Sequence, residues 1–305
     1  MRIQRLNGAK IEKNTVAAIG FFDGVHLAHQ TLIQTMKAYA NTHQMRKAVI
    51  TFDVHPKSVL FGLEYKYITP LSKKLEILAS YDIDTIYLIE FDAEKAKLSP
   101  DDFIDHYLDG LQTIVCGFDF KFGHRGSGNI ETFKNHPSIK TIVVDELTHD
   151  GYKIGSTHIR DLIMSGQVDD IKDTLGRHYT VRGTVIDGAK KGREIGYPTA
   201  NIDPGDYSIP KKGVYASFTK YHKRWYRSMS SIGHNPTLNK QHNLSVESYL
   251  FDFDKIIYGE TIEITFIKRL RDEEKYDSVE ALIDQIKKDE VATLEVLKNS
   301  DFDLQ

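Results

Sequence analysis

Two histidines, His26 and His29, stand three apart directly after the run Gly20-Phe21-Phe22-Asp23-Gly24, which itself follows the apolar stretch Thr-Val-Ala-Ala-Ile. A strand that runs through a glycine-containing turn into a helix leaves the first helical N–H groups unpaired. The helix tip then carries roughly half a positive charge and holds an anion without a dedicated cation. Imidazoles at i and i+3 share one helix face. They can donate N–H bonds to phosphate oxygens as negative charge moves from an α-phosphorus toward departing pyrophosphate. This makes Gly20, Phe22, Asp23 and Gly24 a candidate phosphate-binding turn, and gives His26 and His29 an electrostatic rather than a nucleophilic part. A solvated helix face and a metal pair are the competing readings. His55 and His124 would be the further metal ligands. Each, however, sits beside Pro56 or Gly123 near the end of another strand-like segment, where a nucleotide crevice also collects polar groups.

A second constellation lies in the C-terminal half. Gly188, Gly192 and Gly196 punctuate a basic loop with Lys190, Lys191 and Arg193, followed by Tyr197, Pro198, Thr199, Ala200 and Asn201. Such glycines let backbone N–H groups turn toward polyphosphate. A Thr hydroxyl and an Asn carbonyl two residues apart can face one Mg²⁺, because strand side chains repeat every two. Composition alone equally describes a basic hairpin loop before an edge strand. Further on, the alternation in Leu-Ser-Val-Glu-Ser-Tyr-Leu-Phe sets Glu247 on the face opposite Val246, Ser248 and Leu250. Tyr215, Trp225, Tyr249 and Tyr258 could stack on a planar ligand or fill a barrel core.

The elements that must position these residues are of two textures. Up to about Glu146, the apolar runs TVAAI, KAVITF, DTIYLIEF, TIVC and KTIVVDE alternate with helical spacing, as at Leu32, Ile33, Met36, Tyr39 and Ala40 and again at Leu75, Ile77, Leu78 and Tyr81. Strand then helix, repeated, predicts an α/β doubly wound parallel sheet. Two short helical patterns follow, THIRDLIMSG and VDDIKDTLG, the second ending at Gly176, where a left-handed cap is cheap. Beyond Arg177 the runs YTVRGTVID, GVYASFTKY, RWYRSMSSIG, LSVESYLFDF and ETIEITFIKR alternate in period two with no helix between them. They predict a small antiparallel β-barrel. Val279, Leu282, Ile283, Ile286 and Val291 trace an apolar stripe on a closing helix, which should pack on the barrel. The expected modules are residues 1–176 and 177–305.

The 305 residues carry 40 Lys+Arg against 43 Asp+Glu, a formal net charge of -3, so no global positive field gathers nucleic acid. No apolar run approaches the roughly 20 residues that cross a bilayer, and the N-terminus lacks a signal-peptide core. A single cysteine, Cys116, excludes an intramolecular disulfide and a cysteine-cluster zinc site. A cytoplasmic protein is expected.

The segment Gly20 to Gln30 resembles the H-x-G-H signature of nucleotidylyltransferases, in the extended form G-x-F-D-G-x-H-x-G-H-Q of bacterial FAD synthetases, with Ala28 in place of the second motif glycine. TFDVHP from Thr51, CGFDFKFG from Cys116 and IGSTHIR from Ile154 resemble that family's remaining motifs in order. RGTVIDGAKKGREIGYPTANID resembles the signature of bacterial riboflavin kinases, and GVYA, SIGHNPT and VESYLFDFDKIIYGE follow as in that domain. From about Thr15 to Val291 the chain is thus similar to bifunctional riboflavin kinases/FAD synthetases. The resemblance implies that the barrel phosphorylates riboflavin to FMN with Mg-ATP, and that the α/β module adenylylates FMN to FAD. It implies that Ser156, Thr157 and Arg160 hold the departing phosphates, and that His55, Pro56 and Asp119 lie near the flavin. In the barrel it implies that Gly188, Lys190, Gly192, Arg193 and Thr199 bind ATP and that Thr199 and Asn201 hold Mg²⁺. Glu247 would be the base beside the ribityl hydroxyl, and Arg271 would stand on the flavin side. The partners expected are flavin and ATP, with no nucleic acid or membrane, and a weak homo-oligomer is left open. Two alternatives compete: Ala28 leaves only the kinase working, or the chain is a flavin-binding regulator without turnover.

Overall fold

The structure, a computed structural model, describes residues 1–188, 191–234 and 244–302. Contacts divide the chain into two compact units, Met1–Ser156 and Thr157–Gln305.

The first unit carries, in chain order, β1 (Arg2–Arg5), β2 (Thr15–Ile19), α1 (Leu27–His43), β3 (Arg46–Phe52), α2 (Pro56–Phe61), α3 (Leu71–Ala79), β4 (Thr85–Ile89), α4 (Pro100–Tyr107), β5 (Thr113–Gly117), α5 (Ile130–Lys134), β6 (Lys140–Val144) and the short β7 (Thr148–His149) and β8 (Tyr152–Lys153). β1 to β6 form one parallel sheet in the order β1-β4-β3-β2-β5-β6, the doubly wound architecture expected. Central β2 alternates across it. Val16 and Ala18 pack with Leu32, Ile33 and Met36 of α1, while Ala17 and Ile19 pack with Phe103, Ile104 and Tyr107 of α4. Strands covered on both faces read as continuous apolar runs. From β2 the chain builds outward through β3 and β4 on one side, then crosses to β5 and β6 on the other. The turn after β2 therefore lies at the topological switch point, where open α/β sheets place ligands.

The second unit begins with α6 (Ser156–Ser165), whose first residue closes the first unit, then α7 (Ile171–Leu175), β9 (Tyr179–Ile186), α8 (Lys191–Glu194), β10 (Ala200–Asp203), β11 (Gly213–Tyr221), β12 (Arg224–His234), β13 (Leu244–Leu250), β14 (Thr261–Arg271) and α9 (Val279–Lys298). The division falls before the boundary expected near Arg177, because α6 packs on the barrel. The Lys211 amide donates to the Ile163 carbonyl at 3.1 Å. Gly166, at φ +82°, lies so near Arg269 that a Cβ there would meet its side chain at 2.6 Å. Gly176 caps α7 at φ 75°, as the sequence predicts.

Six antiparallel strands close a barrel in the order β10-β13-β12-β11-β14-β9. Inside it, five fully buried hydroxyls form a closed pentagon. Ser217 contacts Ser228 at 2.8 Å, Ser228 contacts Thr219 at 2.9 Å, Thr219 contacts Ser248 at 2.8 Å, Ser248 contacts Ser230 at 3.2 Å, and Ser230 returns to Ser217 at 2.7 Å. Ser230 donates to Ser248, and Ser217 also donates to the Ser228 carbonyl at 3.1 Å, which ties the ring to the strand backbone. A buried hydroxyl left without its partner costs about 1–3 kcal/mol. Ser228→Ala is accordingly expected to destabilise the second unit by about that amount. Urea unfolding followed at Trp225 would show it as a lower midpoint, and an unchanged midpoint would contradict the cooperative ring.

The stripe expected on α9 is only partly what docks. Asp289, Thr293 and Leu297 are the buried residues, and Leu297 joins Ala216, Phe218 and Ile267 on the outer barrel wall. Val279 and Val291 are exposed by 54% and 67%. Arg271 pins the helix at Asp289, so the helix docks along the i, i+4 line running from that residue rather than along the stripe that begins at Val279.

Candidate active sites

The turn after β2 is strained and heavily braced. Phe22 (φ 57°), Gly24 (φ 86°) and Val25 (φ 45°) all lie in the left-handed region. That region is uncommon for Phe and an outlier for a β-branched residue, and it persists only where surroundings over-determine it. The bracing is visible. Asp23 is buried, and its carboxylate accepts the Thr69 amide at 3.0 Å. The Gly24 amide donates to the Thr69 hydroxyl at 2.8 Å. The Ser156 hydroxyl donates to the Asp23 carbonyl at 3.0 Å. Gly20 lies close under the Phe22 ring, 3.2 Å from where a Cβ would sit.

Helix α1 starts here. His26 is its N-cap, its Nδ1 accepting the His29 amide at 3.4 Å. That acceptor role leaves Nε2 as the nitrogen that carries the proton. The two rings stack at 3.6 Å between centroids, and Phe22 stands 5.0 Å from His29. His29 is half-buried as a residue, and its Nδ1 is buried with no hydrogen-bond partner. Burial, then the neighbouring His26 and Lys74, push the His29 pKa well below the usual imidazole value. It is therefore neutral at pH 7, a donor and not a cation. Among the described residues, no group of three His, Cys, Asp or Glu side chains is arranged to hold a metal.

His55 caps α2, accepting the Lys57 amide at 3.1 Å, with Pro56 at the first helical position. Its ring stacks on Tyr65 at 4.0 Å and meets Phe21 edge-on at 4.7 Å, forming an aromatic wall beside the turn. Asp119 follows β5, beyond the other side of the switch point, and pairs with Lys153 at 2.5 Å. His124 touches the Ala96 carbonyl at 3.4 Å. Thr157 is exposed, and Arg160 donates to Ser208 at 3.2 Å, both in the second unit.

On the barrel, residues from separate segments converge. Asn201 of β10 and Glu247 of β13 are direct cross-strand partners, so their side chains share a face. The Thr199 hydroxyl donates to the Glu247 carboxylate at 2.9 Å. Val246, Ser248 and Leu250 turn inward and are buried, the alternation that the sequence predicts. Asn201 is buried, and its Oδ1 has no hydrogen-bond partner. Gly188 makes room for it, since a Cβ at 188 would lie 2.3 Å from Asn201 Nδ2. Gly192 likewise passes close to the Tyr197 carbonyl, 2.3 Å from where its Cβ would be. A cavity of about 350 Å³, lined by Arg193, Thr199, Phe253, Ile257 and Tyr258 among others, opens beside them. Arg193 approaches the Tyr258 hydroxyl at 3.5 Å. Lys190 lies outside the described residues, as does the Asn-Pro-Thr end of SIGHNPT.

Arg271 is anchored through all three of its nitrogens. It forks onto Asp289 at 2.6 to 3.1 Å and donates to the Asp272 carbonyl at 2.9 Å. The Asp289 hydrogen bonds raise its pKa further. Thr69, Lys74 and Asp289 are site-organising residues that the sequence reading passes over. Each acts through a partner remote in sequence, and no local pattern marks it.

Gly188→Ala should displace Asn201 by the overlap just described, and misplacement of this order costs about 10²-fold in rate. Turnover of riboflavin to FMN is the measurement. An unchanged rate would show that Asn201 need not sit there.

Both halves of the chain match known domains. A family model described as FAD synthetase matches residues 8–158, and one described as riboflavin kinase matches residues 175–297. A bifunctional riboflavin kinase/FMN adenylyltransferase of Listeria monocytogenes is 42% identical over 92% of this chain and 91% of its own. The Bacillus subtilis protein of the same name is 37% identical over 94% of each. A solved structure described as a macrolide-efflux protein from Streptococcus pneumoniae superposes with a TM-score of 0.87 at 32% identity, covering 96% of this chain and 98% of that one. Among the described residues of the present chain, no helix is long and apolar enough to cross a membrane. With both domain models matched and relatives similar over more than nine-tenths of their length, the chain belongs to the bifunctional riboflavin kinase/FMN adenylyltransferase family.

Proposed function

We propose that the protein phosphorylates riboflavin to FMN on the barrel face of Thr199, Asn201 and Glu247, and adenylylates FMN to FAD at the turn after β2. The observation that carries this reading is the convergence of Thr199 and Asn201 on Glu247 from strands distant in sequence.

In the first reaction the ribityl hydroxyl attacks the γ-phosphorus of ATP, its O–P bond forming as the bond to the ADP oxygen breaks. The hydroxyl must shed its proton, and Glu247 is placed to accept it. Thr199, donating to that carboxylate, holds its orientation while keeping lone pairs for a cation. Thr199 Oγ and the partnerless Asn201 Oδ1 fit Mg²⁺, a hard ion that takes oxygen donors and completes its shell with phosphate and water. When bound, Mg²⁺ neutralises charge on the transferring phosphates. Arg193 and the cavity by Tyr258 receive the nucleotide. Arg271, forked onto Asp289 and bonded to the Asp272 carbonyl, is held in place on the side assigned to the flavin.

In the second reaction an FMN phosphate oxygen attacks the α-phosphorus of ATP and pyrophosphate leaves. No base is required, because a phosphate monoester with a second pKa near 6 is already largely dianionic at neutral pH. Positioning and charge stabilisation suffice. We assign these to the turn Gly20 to Gly24, to His26 and the neutral His29, and to Ser156; for Thr157 and Arg160 the same part rests on the family motif alone. The aromatic wall at His55 and Pro56, with Asp119, is assigned to the flavin. The kinase match begins at residue 175, so we place the functional division near Arg177 although α6 packs on the barrel. Separating riboflavin, FMN and FAD chromatographically after adding Mg-ATP tests the scheme. FMN should rise first and FAD follow, and appearance of neither would refute it.

A further inference from the structure

Lys74 of α3 is a lysine almost wholly inside the protein, 2% exposed. Its Nζ lies 3.0 Å from the Phe21 carbonyl, 3.2 Å from the Thr51 hydroxyl and 2.8 Å from the Phe52 carbonyl. An ammonium has three N–H donors and no acceptor, so these three oxygens match the charged form one for one. The same ammonium stands 4.3 Å over the Phe21 ring. The Phe21 carbonyl also receives the Thr51 hydroxyl at 3.0 Å, and so is drawn inward by two donors. In a trans peptide the next N–H points the opposite way. Anchoring that carbonyl therefore fixes the plane of the peptide that leads into Phe22, whose backbone is left-handed at φ 57°.

We propose that Lys74 is a positioning residue for adenylyl transfer: from beneath, it fixes the Phe21–Gly24 turn in the form that receives the triphosphate and places a buried positive charge behind it. This rests on the assignment of that turn as the nucleotide site. The charged groups that act on Lys74 are Asp23 on the turn and Asp53 after β3, both favouring the ammonium, and Lys74 in turn acts on His29 at the start of α1. Desolvation outweighs the two carboxylates and brings its pKa down to about 8.

The pH consequences have opposite signs for activity and stability. Above about pH 8 the turn loses its cation, and adenylylation should decline. The folded-state value lies below the unfolded one of 10.5, so between those values the unfolded chain binds more protons. This group then makes folding more favourable as pH rises. Activity should therefore fall in a window where Lys74 gives no cause for unfolding.

The experiment follows FMN and Mg-ATP to FAD from pH 6.5 to 9.5 in the full-length parent, Lys74→Met and Lys74→Arg, with thermal melts and riboflavin phosphorylation measured alongside. Lys74→Met should lower kcat/KM for ATP by about 10- to 100-fold at pH 7.5 and abolish the decline above pH 8, with riboflavin phosphorylation unchanged. Lys74→Arg, permanently charged, should retain more activity and carry no decline near pH 8. A folded Lys74→Met with the parental kcat/KM, or a Lys74→Arg whose activity still falls near pH 8, would overturn the proposal. If Lys74→Met does not fold, the parent and Lys74→Arg decide, because a parent profile flat through pH 8.5 is equally fatal. His29→Ala separates the two failures. If it leaves FAD formation intact, the site assignment falls and Lys74 with it. If it abolishes FAD formation while Lys74 proves irrelevant, only the present proposal falls.

Discussion

Glutamine at position 247 is expected to cut riboflavin phosphorylation by about 10²- to 10⁴-fold, the usual worth of a positioned general base, while conversion of FMN to FAD proceeds at the parental rate. The substitution is close to isosteric. Its amide oxygen can still accept the Thr199 hydroxyl, now 2.9 Å from the carboxylate, and the cross-strand pairing with Asn201 is a backbone property. Only the ability to take a proton is lost. Initial rates of FMN formation, with the melting temperature alongside, give the answer. Parental kinase turnover in a folded Glu247→Gln would remove Glu247 from the chemistry and leave it a strand residue that supports Thr199.

The second large effect is expected at His29. Removing one preorganised donor from a developing negative charge typically costs about 10²- to 10³-fold, so His29→Ala should depress FAD formation by that factor and spare the kinase. His29 stacks on the His26 ring at the tip of the helix, and its Nδ1 is buried without a partner. Charge bears on this as well. With the folded His29 pKa lowered well below 6.5, the unfolded chain binds more protons as pH falls through that value, and the contribution of this group to stability is lost on the acid side. His29→Ala should flatten that acid-side loss. FAD formation at the parental rate would dismiss the phosphate-site reading of the helix tip.

Much of the fold is legible in the sequence, for a physical reason. Strands such as β2 and β5 are covered on both faces and show it as apolar runs, and barrel strands such as β9 alternate because one face is wet. What escapes the pattern is instructive. β1 is Arg-Ile-Gln-Arg on the edge of the sheet, largely exposed, so its pairing leaves no apolar signature. α4 carries a full set of start signals in Ser99, Pro100, Asp101 and Asp102, which the sequence reading passes over. The α9 stripe misleads because docking is decided by Arg271 and Asp289, a buried ion pair that periodicity counts as surface. The site is legible where one short segment holds it, as at His26 and His29. It is not where partners are remote: Lys74 looks like any exposed lysine beside Lys73, and Thr199 and Glu247 are 48 residues apart. The cap formed by His26 is local, yet histidine is not among the residues from which a helix start is ordinarily read.

The hydroxyl pentagon has a consequence for where the base stands. A strand that slips by one position exchanges its two faces, so a one-residue shift of β13 would rotate Ser248 outward and drive Glu247 into the barrel axis. The carboxylate would arrive among the four remaining hydroxyls with no cation to meet it, the ring having lost Ser248. Misthreaded barrels are thereby penalised twice. The pentagon works as an alignment key whose tooth is Ser248, and the side chain next to it in the chain is delivered to the outer wall each time the lock turns.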